Sequence, residues 1–231
     1  MKNQDFDTYF RRYKTAFQDS ILVSLTEATP GALDEAAFPA YTHSNPIINW
    51  FFWQRLFIVM KFIKKNAPYN KVLDFGCGSG VLLTFLAENS LSVTGADLDL
   101  LPLEHIKQHT SFPPNVDILD LASFPLKDIP SNSYDLITAL DVLEHVDDLS
   151  SVVDELLRIL KPEGKLIVSG PTENWLYQIG RKIAGKTFSG GYHKRGVSEI
   201  QKIASQKGIV NTLAILYPPV PLFSIFTVSL G

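Results

Sequence analysis

The chain has 231 residues, enough for one α/β domain with a full core plus a small extension, and 45% hydrophobic with 19% charged residues exclude a disordered polypeptide. A net charge of -3 supplies no excess basicity for phosphate backbones, so no nucleic-acid partner is expected, and the basic stretches Arg11 to Lys14 and Tyr192 to Arg195 read as solvated surface. The lone cysteine, Cys77, rules out an intrachain disulfide and a cysteine-based zinc site, and it fits a reducing cytoplasm, the expected compartment.

Residues 1–66 read as a helical extension ahead of a core domain at 67–231. The start, MKNQDFDTYFRRYK, has no apolar core behind a basic end and is not expected to be a secretory signal. Asp5 to about Ala28 predicts a helix with an aromatic face of Phe6, Tyr9, Phe10, Tyr13 and Phe17. A second helix opens at Ser44–Asn45–Pro46, where Asn45 can cap and Pro46 suits the first turn, and runs to about Lys65. Its apolar run from Ile47 to Ile63 is too short to span a membrane and is interrupted by Gln54, Arg55 and Lys61. Most of these aromatics read as packing for the extra helices.

From Lys71 onward strands and helices alternate. KVLDF is a strand, and Val81 to Asn89 a helix opened by a glycine turn. Ser92 to Leu98 is a strand, Leu100 to His109 a short helix and Val116 to Leu121 a strand. Tyr134 to Val142 is a strand, Leu149 to Leu160 a helix, Lys165 to Gly170 a strand and Ser198 to Gly208 a helix. The final Gly208 to Gly231 is uncharged, but Pro218, Pro219 and Pro221 break its centre. It reads as two strands joined by a proline turn, with a surface membrane contact left open. The alternation predicts an open, doubly wound, mostly parallel α/β sheet. Ligands in such sheets sit beyond the carboxyl ends of the strands, where strand order reverses.

VLDFGCGSG places Gly76, Gly78 and Gly80 behind a strand that ends in Asp74 and Phe75. The glycines allow positive φ and leave the backbone bare for close approach by a ligand, though a tight turn needs glycines too. Three other strand ends add weight. Asp97 ends the second strand, where a carboxylate can accept both hydroxyls of a ribose. Asp120 and Leu121 end the third, where a polar group can reach an adenine amine while its neighbour packs on the ring. The stretch Tyr134 to Val146 sets acids and His145 just past the fourth, near the reactive end of such a ligand.

These pieces, with LLRILKPEGKLIVSGP, resemble class I S-adenosylmethionine-dependent methyltransferases of the small-molecule type that includes ubiquinone- and menaquinone-pathway enzymes. The resemblance covers about Lys71 to Pro171 and is specific in the order and spacing of its motifs. It implies a Rossmann-like seven-stranded sheet with an antiparallel last strand and S-adenosylmethionine as cofactor. The acid before the turn fits. It would repel a pyrophosphate but favours a ligand carrying an ammonium and a sulfonium, and the glycine spacing misses the dinucleotide form. The resemblance implies that Asp74, Gly76, Cys77 and Gly78 line the methionine moiety. It implies that Asp97 holds the ribose with Leu98 against the adenine, that Asp120 and Leu121 flank the adenine, and that Asp141 sits by the methionine part or the transferred methyl. Cys77 is expected to be a buried small side chain rather than a nucleophile.

The expected reaction is methyl transfer to a small, apolar, lipid-like acceptor, at oxygen in the first instance, with the N-terminal helices as a candidate lid. A hydroxyl acceptor needs a base, and the candidates are His145, at the expected start of the helix after the fourth strand, and His193, in the SGGYHKRG loop. Asp141, Glu173 and Asn174 could mimic the acids of a metal-dependent variant, but their surroundings do not resemble it and no metal is expected. The competing readings are a methyltransferase-fold binding module without catalysis, a nicotinamide oxidoreductase, and a protein or RNA methyltransferase. The oligomeric state stays open.

Overall fold

The strand-like apolar runs from Lys71 onward become strands of one sheet in the computed structural model, which describes residues 3–27, 41–42, 46–172, 195–217 and 221–231. The helices are α1 (Asn3–Glu27), α2 (Pro46–Asn66), α3 (Leu83–Ala87), α4 (Leu101–His109), α5 (Leu149–Ile159) and α6 (Val197–Ser205). The strands are β1 (Tyr69–Phe75), β2 (Ser90–Asp97), β3 (Val116–Asp120), β4 (Tyr134–Leu140), β5 (Leu160–Pro171), β6 (Ile209–Leu216) and β7 (Phe223–Ser229).

The strands form a seven-stranded sheet in the order β3-β2-β1-β4-β5-β7-β6. β1 to β5 pair in parallel, and β7 runs antiparallel to both β5 and β6. Strand order therefore reverses at the boundary between β1 and β4, which makes the carboxyl ends of those two strands the natural binding crevice. Register brings the acids to the same end of the sheet: Asp97 lies opposite Asp120, and Asp74, opposite Gly95 and Thr138, lies two residues further back.

Alternation along each strand feeds two core layers. Val72, Val93, Leu136 and Ile167 point to the side covered by α1 to α4. Leu73, Ile137, Leu166, Val168 and Phe226 point to the side covered by α5 and α6. β5 starts earlier than KLIVSG implies: Leu160 already pairs with Tyr134, the chain bulges, and pairing resumes with Lys165 opposite Leu136.

The aromatic face of α1 is real, and it is buried. Phe6, Phe10, Phe17 and Ile21 are all under 10% exposed. Phe10 meets Trp53 and Phe57 of α2 with ring centroids 5.9 and 5.0 Å apart. At about 1.5–3 kcal/mol per buried side chain, this face packs α1 onto the domain. The Tyr41 carbonyl gathers the extension by accepting from Gln18 Nε2 (2.7 Å), Asn49 Nδ2 (2.6 Å) and Trp53 Nε1 (3.1 Å).

The reading of Arg11 to Lys14 as solvated charge holds for Arg11 and Arg12, which are exposed. It fails for Lys14, which donates to Asn49 Oδ1 at 2.7 Å and lies 5.5 Å from the Trp53 ring. It fails also for Arg195, which donates to the carbonyls of Val146 (2.5 Å) and Asp147 (3.3 Å). In both cases partners distant in the chain replace water. Among the described residues no helix is long and apolar enough to cross a membrane.

Candidate functional site

The glycine turn joins β1 to α3 and is pinned on both sides. The N–H groups of Gly76 and Cys77 donate to the Ala96 carbonyl at 2.8 and 3.1 Å, and Gly80 N–H donates to the Cys77 carbonyl at 2.8 Å. All three glycines have positive φ, 73°, 50° and 75° in order. Their roles differ. A Cβ on Gly76 would stand 2.4 Å from Val142 Cγ2, and one on Gly80 2.6 Å from Leu103 Cδ1, so these two let protein pack on protein. A Cβ on Gly78 would meet nothing within 4 Å. Gly78 thus leaves its bare face to open space, where a ligand can approach the backbone.

Asp97 is tied into this turn. Its Oδ2 accepts from Gly78 N–H at 2.7 Å, and its Oδ1 accepts from the N–H groups of Leu98 (2.7 Å) and Asp99 (3.2 Å). Leu98 beside it is 72% exposed, an apolar surface with little cover. At the end of β3, Asp120 accepts from Ala122 N–H (2.9 Å) and Ser123 Oγ (2.6 Å), bonds that hold its carboxyl below the usual range. Leu121 points the other way, buried in the core layer with Phe75 and Ala96, and its N–H donates to the Asp97 carbonyl at 2.9 Å.

Asp74 sits beneath the turn, 5% exposed, and accepts from Thr138 Oγ1 at 2.6 Å. Burial pushes its carboxyl up to about 7; the Thr138 bond opposes this and the Asp97 charge adds to it. Cys77 is buried, and burial raises its thiol well above the usual value, which suits a packing residue and not a nucleophile.

Past β4 the chain turns at Asp141, a non-glycine residue at φ 55°. Aspartate is among the residues that tolerate this region, at a cost of about 1–2 kcal/mol. Its backbone N–H donates to the Ser169 carbonyl at 3.0 Å, and its Oδ1 accepts from Ser169 Oγ at 3.2 Å. Oδ2 is ion-paired with Arg55 Nη1. Arg55 belongs to α2 and is 4% exposed; its guanidinium carbon lies 4.5 Å from the ring centroids of both Phe52 and Phe223. Its Nε is buried without a hydrogen-bond partner. Sequence reasoning counted Arg55 only as a charge that interrupts an apolar run. The available signal was that same isolation: one cation in an apolar helix face, ahead of a domain whose strand ends carry acids.

His145 lies in the turn between β4 and α5 and is exposed; its N–H donates to the Val142 carbonyl at 3.1 Å. It is not at the start of α5. Asp148 caps that helix, accepting from Ser151 N–H at 3.0 Å, and the helix begins at Leu149. His193, Glu173 and Asn174 lie outside the described residues. Among the described residues no group of three or more His, Cys, Asp or Glu side chains is arranged to hold a metal ion. The structure thus gathers Gly76, Gly78, Asp74, Asp97, Leu98, Asp120 and Asp141 along one end of the sheet, and it adds Arg55.

Comparison with known proteins agrees. A family described as "Methyltransferase domain" matches residues 53–205. The chain is 34% identical over 133 residues to a ubiquinone biosynthesis O-methyltransferase of Pseudomonas fluorescens, covering 55% of this chain and 57% of that protein. It is 31% identical over 145 residues to the protein of the same name from Erwinia tasmaniensis, covering 61% and 58%. The chain therefore spans little more than half the length of these curated relatives. Among solved structures, the N-methyltransferase NodS of Bradyrhizobium japonicum, in complex with S-adenosylhomocysteine, aligns with TM-score 0.58 at 16% identity over 92% of this chain and 98% of that one. The PH0226 protein of Pyrococcus horikoshii aligns with TM-score 0.60 at 17% identity over 84% and 96%. The family match spans well over half of the sequence and the strand order agrees with it, so this chain belongs to the methyltransferase domain family, with the class I S-adenosylmethionine-dependent fold.

Proposed function

We propose that the protein binds S-adenosylmethionine across the ends of β1, β2 and β4 and transfers its methyl group to an oxygen of a small apolar acceptor. The observation that carries the cofactor reading is the open face of Gly78, whose N–H is held by Asp97, at the sheet end where the Arg55–Asp141 pair follows β4. The donor set fits the ligand's chemistry. Asp97 Oδ2 keeps one lone pair for a ribose hydroxyl beyond its bond from Gly78, and exposed Leu98 offers a surface for the adenine ring, with Asp120 beside it. Arg55 and Asp141 present one cation and one anion, the complement of an amino-acid zwitterion, and Arg55 Nε still lacks a partner.

The bound cofactor would supply a methyl carbon made electrophilic by its sulfonium. The chain's own part is to hold the two reactants in line and exclude water. Oxygen as the acceptor atom is supported by the two relatives named ubiquinone biosynthesis O-methyltransferase. An apolar acceptor is supported by the aromatic residues next to Arg55: Phe52 and Phe223 flank it, and half-exposed Trp50 stands 5.5 Å from Tyr217. A hydroxyl acceptor must lose a proton, and we assign that role to His145 or His193.

Titration calorimetry with S-adenosylhomocysteine tests the cofactor reading. The wild type should bind, and Asp97→Ala should weaken binding about tenfold or more, as expected for the loss of charge-assisted hydrogen bonds. Well-folded protein with no affinity for S-adenosylhomocysteine would falsify it. Isotope-labelled S-adenosylmethionine offered with apolar phenols and amines then tests the acceptor: label should appear on oxygen.

A further inference from the structure

α3 is only five residues long, and its cap residue Leu82 makes no side-chain capping bond. A helix that short has no stability of its own. Only Val81 and the cap residue Leu82 separate it from Gly80, so whatever holds its first turn also holds the end of the glycine loop. Val81 and Phe85 stand four residues apart, the spacing at which carbonyl and N–H normally bond to each other. Here a side chain from α1 occupies the gap. Tyr13 Oη donates to the Val81 carbonyl at 2.7 Å and accepts from Phe85 N–H at 3.3 Å. The next pair closes in the ordinary way, Leu86 N–H to the Leu82 carbonyl at 2.9 Å.

The phenol is locked where it stands. Its ring meets Phe85 edge-on with centroids 6.4 Å apart and stacks on Tyr9 at 6.0 Å. Burial raises its pKa well above the usual tyrosine value, so it remains a protonated donor. The phenol thus joins a carbonyl just ahead of the helix to one of the first-turn N–H groups that have no partner within the helix.

We propose that Tyr13 is a positioning residue of the cofactor turn: its hydroxyl, bridging Val81 and Phe85, ties the end of the glycine loop to the first turn of α3 and thereby sets where Gly78 and Gly80 stand. The inference rests on the cofactor reading above. It makes α1 part of the apparatus that shapes the cofactor site. Without the hydroxyl, the Val81 carbonyl and the Phe85 N–H either bond directly, which extends the helix back toward Gly80, or lose a partner, which loosens the link between loop and helix. Both outcomes displace Gly80.

The test compares Tyr13→Phe with Tyr9→Phe, whose hydroxyl instead donates to Glu88 Oε2 at 2.6 Å, away from the turn. S-adenosylhomocysteine dissociation constants, melting temperatures and amide hydrogen exchange over residues 77–88 are measured for the wild type and both variants. Tyr13→Phe should raise the dissociation constant about fivefold, the effect of one neutral hydrogen bond, and change exchange at the Phe85 amide. Tyr9→Phe should leave the dissociation constant unchanged. A lower melting temperature for Tyr13→Phe with an unaltered dissociation constant overturns the inference, because hydroxyl and ring would then serve stability alone. Equal weakening by both variants also overturns it. Wild-type protein that does not bind S-adenosylhomocysteine overturns the cofactor reading and this inference with it, whereas binding with equal constants in wild type and Tyr13→Phe overturns the inference alone.

Discussion

The ion pair between Arg55 and Asp141 is asymmetric, and the asymmetry predicts which partner matters more for stability. Side-chain exposure is 4% for Arg55 and 26% for Asp141. Asp141→Asn keeps a residue that tolerates the left-handed backbone but removes the anion. It strands a buried guanidinium between two phenyl rings, and breaking a buried pair in that way costs about 3–5 kcal/mol. Arg55→Met fills a similar volume with apolar atoms. The carboxylate it leaves behind is a quarter exposed and still accepts from Ser169 Oγ, so water can take the empty side. We expect a loss of only about 1–2 kcal/mol there. For a chain of this size each kcal/mol lowers Tm by about 2–4 °C, so the expected drops are about 6–20 °C for Asp141→Asn and about 2–8 °C for Arg55→Met. The double variant should lie near Arg55→Met alone, far from the sum of the two losses. Calorimetric melting of the ligand-free protein reads all three. If Arg55→Met costs more than Asp141→Asn, or if the two losses simply add, the pair does not hold the site as described.

The three glycines should part company on substitution. Gly76→Ala forces a Cβ against Val142 and adds backbone strain, so it should lower stability by about 2 kcal/mol or more, read by denaturant unfolding. Gly78→Ala meets no atom and should cost about 1 kcal/mol of strain, yet weaken S-adenosylhomocysteine more than it weakens the fold, because its methyl enters the open face. A Gly78→Ala protein with wild-type affinity would remove Gly78 from the site. Asp74 gives a pH signature. Its pKa rises from 3.8 to about 7 on folding, so between those values the native state holds a proton that the unfolded chain has released. Its contribution to stability therefore falls as pH rises through that window and levels off above it. Asp74→Asn should flatten the pH dependence of Tm between about pH 4 and 7. An unchanged slope would mean that another group titrates there.

Much of this was legible in the chain because the responsible physics is local. Apolar runs of strand length, separated by helical spacing, imply a parallel sheet, and the positive-φ demand of a tight turn shows as glycine at 76, 78 and 80. The placement of Asp97 and Asp120 side by side is legible because each ends a strand, and parallel register aligns strand ends. The helix after the glycine turn is shorter than its apolar run implies, Leu83–Ala87 in place of 81–89, and nothing near it in sequence reveals that Tyr13 bridges Val81 and Phe85 at its start. Leu121, a neighbour of the adenine by resemblance, goes into the core because strand alternation turns it away from Asp120.

The sequence by itself determined the elements, the fold class and the acids that line the sheet end. Only the tertiary structure decided which distant groups meet at that end: Arg55 reaches Asp141 across 86 positions and Tyr13 reaches Val81 across 68. Periodicity and turn chemistry act over a few residues and leave a mark in the residues themselves. A contact between distant segments depends on how whole helices pack on the sheet, and a single arginine or tyrosine looks the same in sequence whether it faces water or a buried partner.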